Sequence, residues 1–288
     1  MIIPGLLLGR LPPVVLVLGA VSSVQFGAAA AKGLFDELGP GGTVFLRVAF
    51  AAVVLGLIFR PSGRGLNGRD WRLIATFGLC LASMNLAFYE SLDRIPLGVA
   101  VTFEFVGPLG VAVFSARPFG VVWIAVAAAG ILLLSDFGSG ALDGLGVALA
   151  LVAGGLWAAY ILLSARVGRA FEGGDALALA MGVGALVLVP VGVAEGGAEL
   201  LSPGLLAVGA AVAVLSSAIP YTLELEALRR MPQSVFGVLM STEPAVAALA
   251  GFIVLDEGLA TRELVAIVLV VAASAGAARN TRVPPRDA

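Results

Sequence analysis

Apolar runs of roughly span length recur along the whole chain, separated by short breaks rich in Gly, Pro and charge. The breaks read "FRPSGRGLNGRDWR", "DFGSGALDG", "GRAFEGGD" and "LDEGLATRE". A helix rising 1.5 Å per residue needs about 20 apolar residues to cross a bilayer. The pattern predicts ten spans, near residues 12–31, 41–59, 72–90, 97–115, 119–135, 145–164, 176–194, 203–222, 233–254 and 263–279. "VVWIAVAAAGILLL" (Val121 to Leu134) does not alternate, which argues against barrel strands. The connections are short, so neighbouring helices are expected to pack antiparallel, with no room for a soluble domain. The first run, after "MIIPGLLLGRLPP", has signal-peptide character, but nine more follow it, and an uncleaved first span is expected.

Composition strengthens this reading. The 288 residues are 60% hydrophobic and 12% charged, with a mean hydropathy of +1.06. A soluble domain of that length has too few charges to cover its surface. The chain is therefore expected to be an all-α polytopic membrane protein, in contact with lipid throughout. Basic residues give its orientation. One set of segments carries Arg10, Arg60, Arg64, Arg69, Arg72, Arg117, Arg166, Arg169, Arg229, Arg230, Arg279, Arg282 and Arg286, and the opposite loops carry Lys32, Arg94 and Arg262. The positive-inside rule then places both termini in the cytoplasm. Gly- and Ala-rich stretches such as "ALALVAGGLWAAY" suit close helix packing where lipid removes the hydrophobic drive.

Several chemistries drop out. The chain has no His and one Cys, Cys80, in an apolar run where it reads as a small buried hydrophobe. Zinc, haem and Cys/His nucleophile sites lack their ligands, so no metal, cofactor or catalytic centre is expected. Lys32 is the only lysine, which leaves no phosphate-cradling Gly loop ending in Lys-Ser/Thr. A net charge of −2 does not point to nucleic acid.

One internal match rises above composition. "YESLDRIPLGVAVTFEFVGPLGVAV" (Tyr89 to Val113) aligns with "ELEALRRMPQSVFGVLMSTEPAVAAL" (Glu224 to Leu249) at a shift of 136. The shift pairs Glu90 with Glu226, Arg94 with Arg230, Pro96 with Pro232, Val99 with Val235 and Pro108 with Pro244, so R-x-P-x11-P occurs twice. Five spans per half is an odd number, so the halves, 1–140 and 141–288, must lie in the membrane with opposite orientation. Inverted repeats of this kind build transporters with a midplane site between the halves.

Ten spans as five plus five, with "SSAIPYTLELEALRRMPQSVFGVLM" (216–240) followed by "STEPAVAALAG" (241–251), resemble the drug/metabolite transporter superfamily and its EamA-domain family. "VTFEFVGPLGVAVFSARP" (101–118) and "LMSTEPAVAAL" (239–249) are similar to the branch of bacterial inner-membrane threonine/homoserine exporters. The resemblance implies proton-driven export of small metabolites, in particular neutral amino acids such as threonine and homoserine. A broad drug or metabolite exporter is the alternative. An intramembrane enzyme lacks a nucleophile–base pair, and a purely structural membrane protein leaves the repeat and the intramembrane charges unexplained. Both a monomer and a homodimer stay open.

Three charged residues stand out within the predicted spans: Arg47, Glu104 and Glu243. Such groups face the bundle interior, pair with each other or line a polar path. Glu104 and Arg47 lie at similar depths from the outer side, about 10 Å for Glu104 at 1.5 Å per residue. Two readings of each remain: an Arg47–Glu104 structural pair, or Glu104 for a substrate ammonium and Arg47 for its carboxylate. Glu243 lies near the midplane with no cation at its depth, which makes it the candidate for proton coupling. A packing role beside Pro244 is the other reading, because Glu-Pro at this place is widespread in the family across different substrates. Further candidate lining residues are Gln25, Asn85, Thr102, Trp157, Tyr160, Tyr221 and Ser241, each with interhelical hydrogen bonding as the alternative. Tyr89, near the outer end of its span, is expected in the interfacial aromatic belt.

Overall fold

The computed structural model describes residues 11–115, 120–134, 142–171, 174–228, 230–231, 236 and 239–280. Arg10, Arg117, Arg229, Pro232, Val235, Arg282 and Arg286, the side chains of Arg169 and Arg279, and the boundary between the expected halves lie outside these. Among the described residues there is no strand.

The helices whose bounds are described are, in chain order, α1 Pro13–Lys32, α2 Phe35–Phe59, α3 Gly68–Leu92, α4 Leu97–Glu104, α5 Val106–Ser115, α6 Gly120–Leu134, α7 Gly144–Ala170, α8 Asp175–Gly196, α9 Pro203–Ala213, α10 Ile219–Leu228, α11 Glu243–Leu255 and α12 Thr261–Asn280. A 3-10 turn, Gly197–Leu201, precedes α9, and a π turn, Val214–Ala218, joins α9 to α10. Among the described residues, six segments are long and apolar enough to cross a membrane: Pro13–Lys32, Phe35–Phe59, Gly68–Leu92, Gly144–Gly168, Asp175–Leu201 and Pro203–Tyr221. Helices dominate because a backbone in hydrocarbon must satisfy its own polar groups.

Local chemistry sets the ends. Asn67 and Asp70 form a capping box on α3: Asn67 Oδ1 accepts from Asp70 N at 3.1 Å, and Asp70 Oδ2 accepts from Asn67 N at 3.0 Å. Prolines open α1 and α9, where a missing N–H costs nothing. In α2 the chain kinks at Gly39, whose φ of 67° favours glycine, before Pro40. Glu195 of α8 fills the space a Gly39 Cβ would occupy, and its Oε2 accepts from Gly41 N at 2.6 Å.

The bundle is built from a few close pairings. α2 lies on α8 and α9; α3 lies on α7 and α8; α1 lies on α10 and α11; α4 lies on α7 and α11; α6 lies on α12. Large apolar residues such as Leu57, Leu186, Phe252 and Val268 are exposed on the outside, as suits a lipid-facing surface.

The expected fourth span, 97–115, is divided at Phe105 into α4 and α5. The expected eighth span, ending at 222, continues to Leu228 through the π turn. The extension carries Glu224, a half-buried carboxylate that the span limits had left outside, into the bundle.

Candidate functional site

Arg47 sits midway along α2 with 6% of its surface exposed. Its Nε donates to Ser217 Oγ at 3.3 Å, Nη1 to Tyr89 Oη at 3.0 Å and Nη2 to the Ser216 carbonyl at 3.4 Å. The guanidinium carbon lies 5.3 Å from the Tyr89 ring centroid, in cation–π range. The Ser216 and Ser217 partners come from the π turn, a kind of bulge that recurs at functional sites. Every one of these partners is neutral. Among the described residues no carboxylate stands within 4.0 Å of Arg47, so the Arg47–Glu104 ion pair, one of the two readings, is not formed. Glu104 lies only within longer electrostatic reach. Tyr89 is likewise not a belt residue. It is fully buried, because its hydroxyl serves Arg47 and its ring packs 5.7 Å from that of Phe35.

Glu104 is the last residue of α4 and Glu243 the first of α11; 8% and 4% of their surfaces are exposed. Both flank helix breaks, at Phe105 and at Ser241–Thr242. α4 and α11 pack closely where a Gly98 Cβ would stand 2.8 Å from Ala248 Cα. Counting inward from that crossing, antiparallel, brings Glu104 level with Thr242 and Glu243. The two carboxylates lie within electrostatic reach of each other, and Glu224 of Glu243. The sequence reading put Glu243 inside a continuous helix; as the first residue of α11 it meets the positive end of a helix dipole.

The break at Phe105 has a local cause. Pro108 has no N–H to give the Glu104 carbonyl four residues back. α7 lies against that carbonyl at Gly154, where a Cβ would collide with it, and Gly107 in turn lies against the Gly154 carbonyl. Trp157, one turn along α7, meets the Phe105 ring edge-on at 5.5 Å.

The remaining candidates divide. Gln25 is buried and its Oε1 has no partner, as is true of Ser216 Oγ, a residue the sequence reading passed over. Tyr221 is half-buried and within electrostatic reach of Arg47, Glu224 and Glu104. Tyr160, also half-buried, stacks on Phe77 at 5.3 Å. Thr102 and Asn85 turn to their own helices: Thr102 Oγ1 donates to the Gly98 carbonyl at 2.6 Å and Asn85 Nδ2 to the Leu81 carbonyl at 2.8 Å. Ser241 is fully buried and partnered. Cys80 is a free, buried thiol that donates to the Leu156 carbonyl at 3.3 Å. Glu224 had one signal in the sequence. Its neighbour Glu226 pairs with Arg230 four residues on, at 3.1 Å, whereas the residue four beyond Glu224 is Leu228.

The sequence profile of the EamA-like transporter family matches residues 144–279. The threonine/homoserine exporter RhtA of Salmonella typhimurium (strain LT2) is 41% identical over 278 residues, 95% of this chain and 94% of its own. That of Escherichia coli (strain K12) is 42% identical over 274 residues, 94% of this chain and 92% of its own. The chain belongs to the EamA-like transporter family. A more distant relative, the uncharacterized transporter YwfM of Bacillus subtilis (strain 168), is 26% identical over 210 residues, 70% of this chain and 71% of its own. A solved crystal structure, 16% identical, shares the fold with a TM-score of 0.58 over 90% of this chain and 94% of its own. In this EamA-like chain, the residues matched by the family profile include Glu224, Ser241 and Glu243, while Arg47 and Glu104 lie before them.

Proposed function

We propose that this chain is a ten-span transporter of the bacterial cytoplasmic membrane, with both termini in the cytoplasm, that exports small neutral amino acids such as threonine and homoserine in exchange for protons. The observation that carries the proposal is the buried guanidinium of Arg47, held by neutral acceptors alone, with the carboxylates of Glu104 and Glu243 in the same interior. A zwitterion complements that arrangement. Its carboxylate takes the bidentate face of Arg47, and its ammonium takes Glu104. The exporter names of the relatives at 41% and 42% identity support the same substrate class. Glu243 is the proton site, and the chain has no catalytic role.

The two inverted five-helix repeats, 1–140 and 141–288, have support at three levels. The equivalent residues form equivalent ion pairs, Glu90 with Arg94 at 2.8 Å and Glu226 with Arg230 at 3.1 Å. Residues at the 136 shift break alike, Phe105 in one half and Ser241 in the other. The pairings also exchange when the halves are swapped: α3 on α7 for α10 on α1, α4 on α7 for α11 on α1, and α3 on α8 for α9 on α2. In the ten-span reading the four crossings beyond the six long helices are α4 with α5, α6, α11 and α12. Rocking of such halves about a fixed midplane site gives alternating access.

The test is transport in proteoliposomes loaded with labelled threonine, homoserine, alanine or a cationic dye, with and without an acid-outside proton gradient. Gradient-stimulated efflux of threonine and homoserine is expected. Efflux of the dye without that of amino acids would replace this reading with a broad drug exporter.

A further inference from the structure

At the end of the bundle at which Lys32 lies, Glu257 is a carboxylate that joins several connections and that the transport reading leaves without a role. Glu257 Oε1 accepts from Lys32 Nζ at 2.7 Å, and its Oε2 accepts from Leu97 N at 2.8 Å. Lys32 Nζ also donates to the Ile95 carbonyl at 3.4 Å. Lys32 closes α1, Ile95 sits in the turn between α3 and α4, Leu97 opens α4, and Glu257 lies just beyond α11. One carboxylate thus joins three connections, through charge-assisted bonds that are the stronger kind. The chain doubles back to place it: Asp256 has a φ of 54°, and Glu257 N donates to the Gly251 carbonyl at 3.1 Å.

Glu257 caps α4, whose inner end is Glu104, and folds over the last turns of α11, whose inner end is Glu243. A Cβ on Gly251 would stand 2.7 Å from Glu257 Oε2. The two short helices that carry the site carboxylates therefore share one outer anchor. α4 spans about 12 Å at 1.5 Å per residue, short enough to move as a rigid lever about the break at Phe105. Burial is lopsided along the same path. Leu92, Ile95, Leu97, Val99, Ala100 and Val101 at the Glu257 end are all buried. Val106, Pro108, Tyr160, Tyr221 and Glu224 beyond the breaks are only half-buried.

We infer that Glu257 and Lys32 form a gate latch: joined, they hold α4 and α11 together and seal this end of the bundle; parted, they free both helices to swing and open the site to that side. Glu257 is a positioning residue, acting on the site through the helices it caps. The inference rests on the alternating-access reading of the function.

The test uses full-length protein in membrane vesicles, with Cys80→Ala removing the native thiol and Val99→Cys as the reporter on α4. The readout is labelling by a charged, membrane-impermeant maleimide from each face. With the latch intact, labelling from the Lys32 face is slow. Glu257→Ala raises it severalfold and slows net export; Lys32→Ala raises it less, because the Leu97 cap stays; Lys32→Arg keeps the shielding. A folded Glu257→Ala protein with unchanged labelling overturns the latch. If Glu257→Ala does not fold, Lys32→Ala decides: unchanged labelling overturns the latch, raised labelling supports it. Labelling needs no substrate. Failure of the amino-acid panel with a responsive reporter therefore counts against the substrate assignment, and normal export with an unresponsive reporter counts against the latch.

Discussion

At the residue scale, the proposed site divides the two ends of a zwitterion between Arg47 and Glu104. Glu104→Gln keeps the shape and removes the charge proposed to receive the ammonium. A hydrogen bond to a charged group is worth about 1.5–3 kcal/mol, so apparent affinity for threonine should fall about tenfold to a hundredfold. Wild-type concentration dependence in proteoliposomes would remove Glu104 from the site. Arg47→Lys keeps the charge but loses the planar fork that serves Ser217, Tyr89 and the Ser216 carbonyl at once. It should cost more than Tyr89→Phe, which deletes one neutral acceptor at 3.0 Å and leaves the ring in place. Efflux rates of the two variants, ranked against wild type, check this, and equal rates would show Arg47 to be a packing residue. The charges themselves were legible in the sequence because charge is rare within a span. Their partners were not. Tyr89 and Ser217 reach Arg47 from 42 and 170 residues away, and nothing local in "AFYESL" separates a buried tyrosine from a belt tyrosine.

At the scale of elements, the proposed site depends on helices that break inside the bundle, at Phe105 and at Ser241–Thr242. Pro108 and Pro244 stand beside these breaks at equivalent positions of the repeat, although both spans were expected to run on through them. What the sequence did not reveal is that α7 must come within backbone contact of the first break. That contact requires glycine at Gly107 and Gly154, in stretches where glycine is common enough to look unremarkable. A side chain at Gly154 meets the Glu104 carbonyl, which is backbone and cannot rotate away. Gly154→Ala should therefore separate α4 from α7, with an overpacking cost of about 1–3 kcal/mol. A lower melting temperature in detergent together with reduced efflux is expected. Gly155→Ala, one residue on and facing open space, is the control and should melt like wild type. If Gly154→Ala melts with the control, the close contact does not hold the break together.

For the whole molecule, the proposed exchange cycle has to be driven from a buried polar interior. Buried Glu104 and Glu243, with half-buried Glu224, set three carboxylates against Arg47, which is the one buried guanidinium among the described residues. In a low-dielectric bundle such a surplus must be matched by cations, and an amino-acid exporter has two on hand, the substrate ammonium and the proton. If Glu104 takes the first, Glu243 takes the second. It is the more buried of the two, lies in the other half of the chain, and has Glu224 and Glu104 rather than a cation within electrostatic reach. Occupancy at one carboxylate then bears on the other across the pairing of α4 with α11, which is how binding of one ligand biases a two-state bundle toward release of the other. Glu243→Gln fixes that position in a neutral form. Wild-type efflux of threonine should rise when the outside is acidified, whereas efflux through Glu243→Gln should not respond. Exchange of internal for external threonine at equal pH should persist in the variant, because it needs the rocking motion and Glu104 but no net proton movement. A variant that keeps the full response to the gradient assigns the proton elsewhere, with Glu224→Gln the next measurement; one that loses exchange as well shows that Glu243 holds the fold or the substrate instead of the coupling ion.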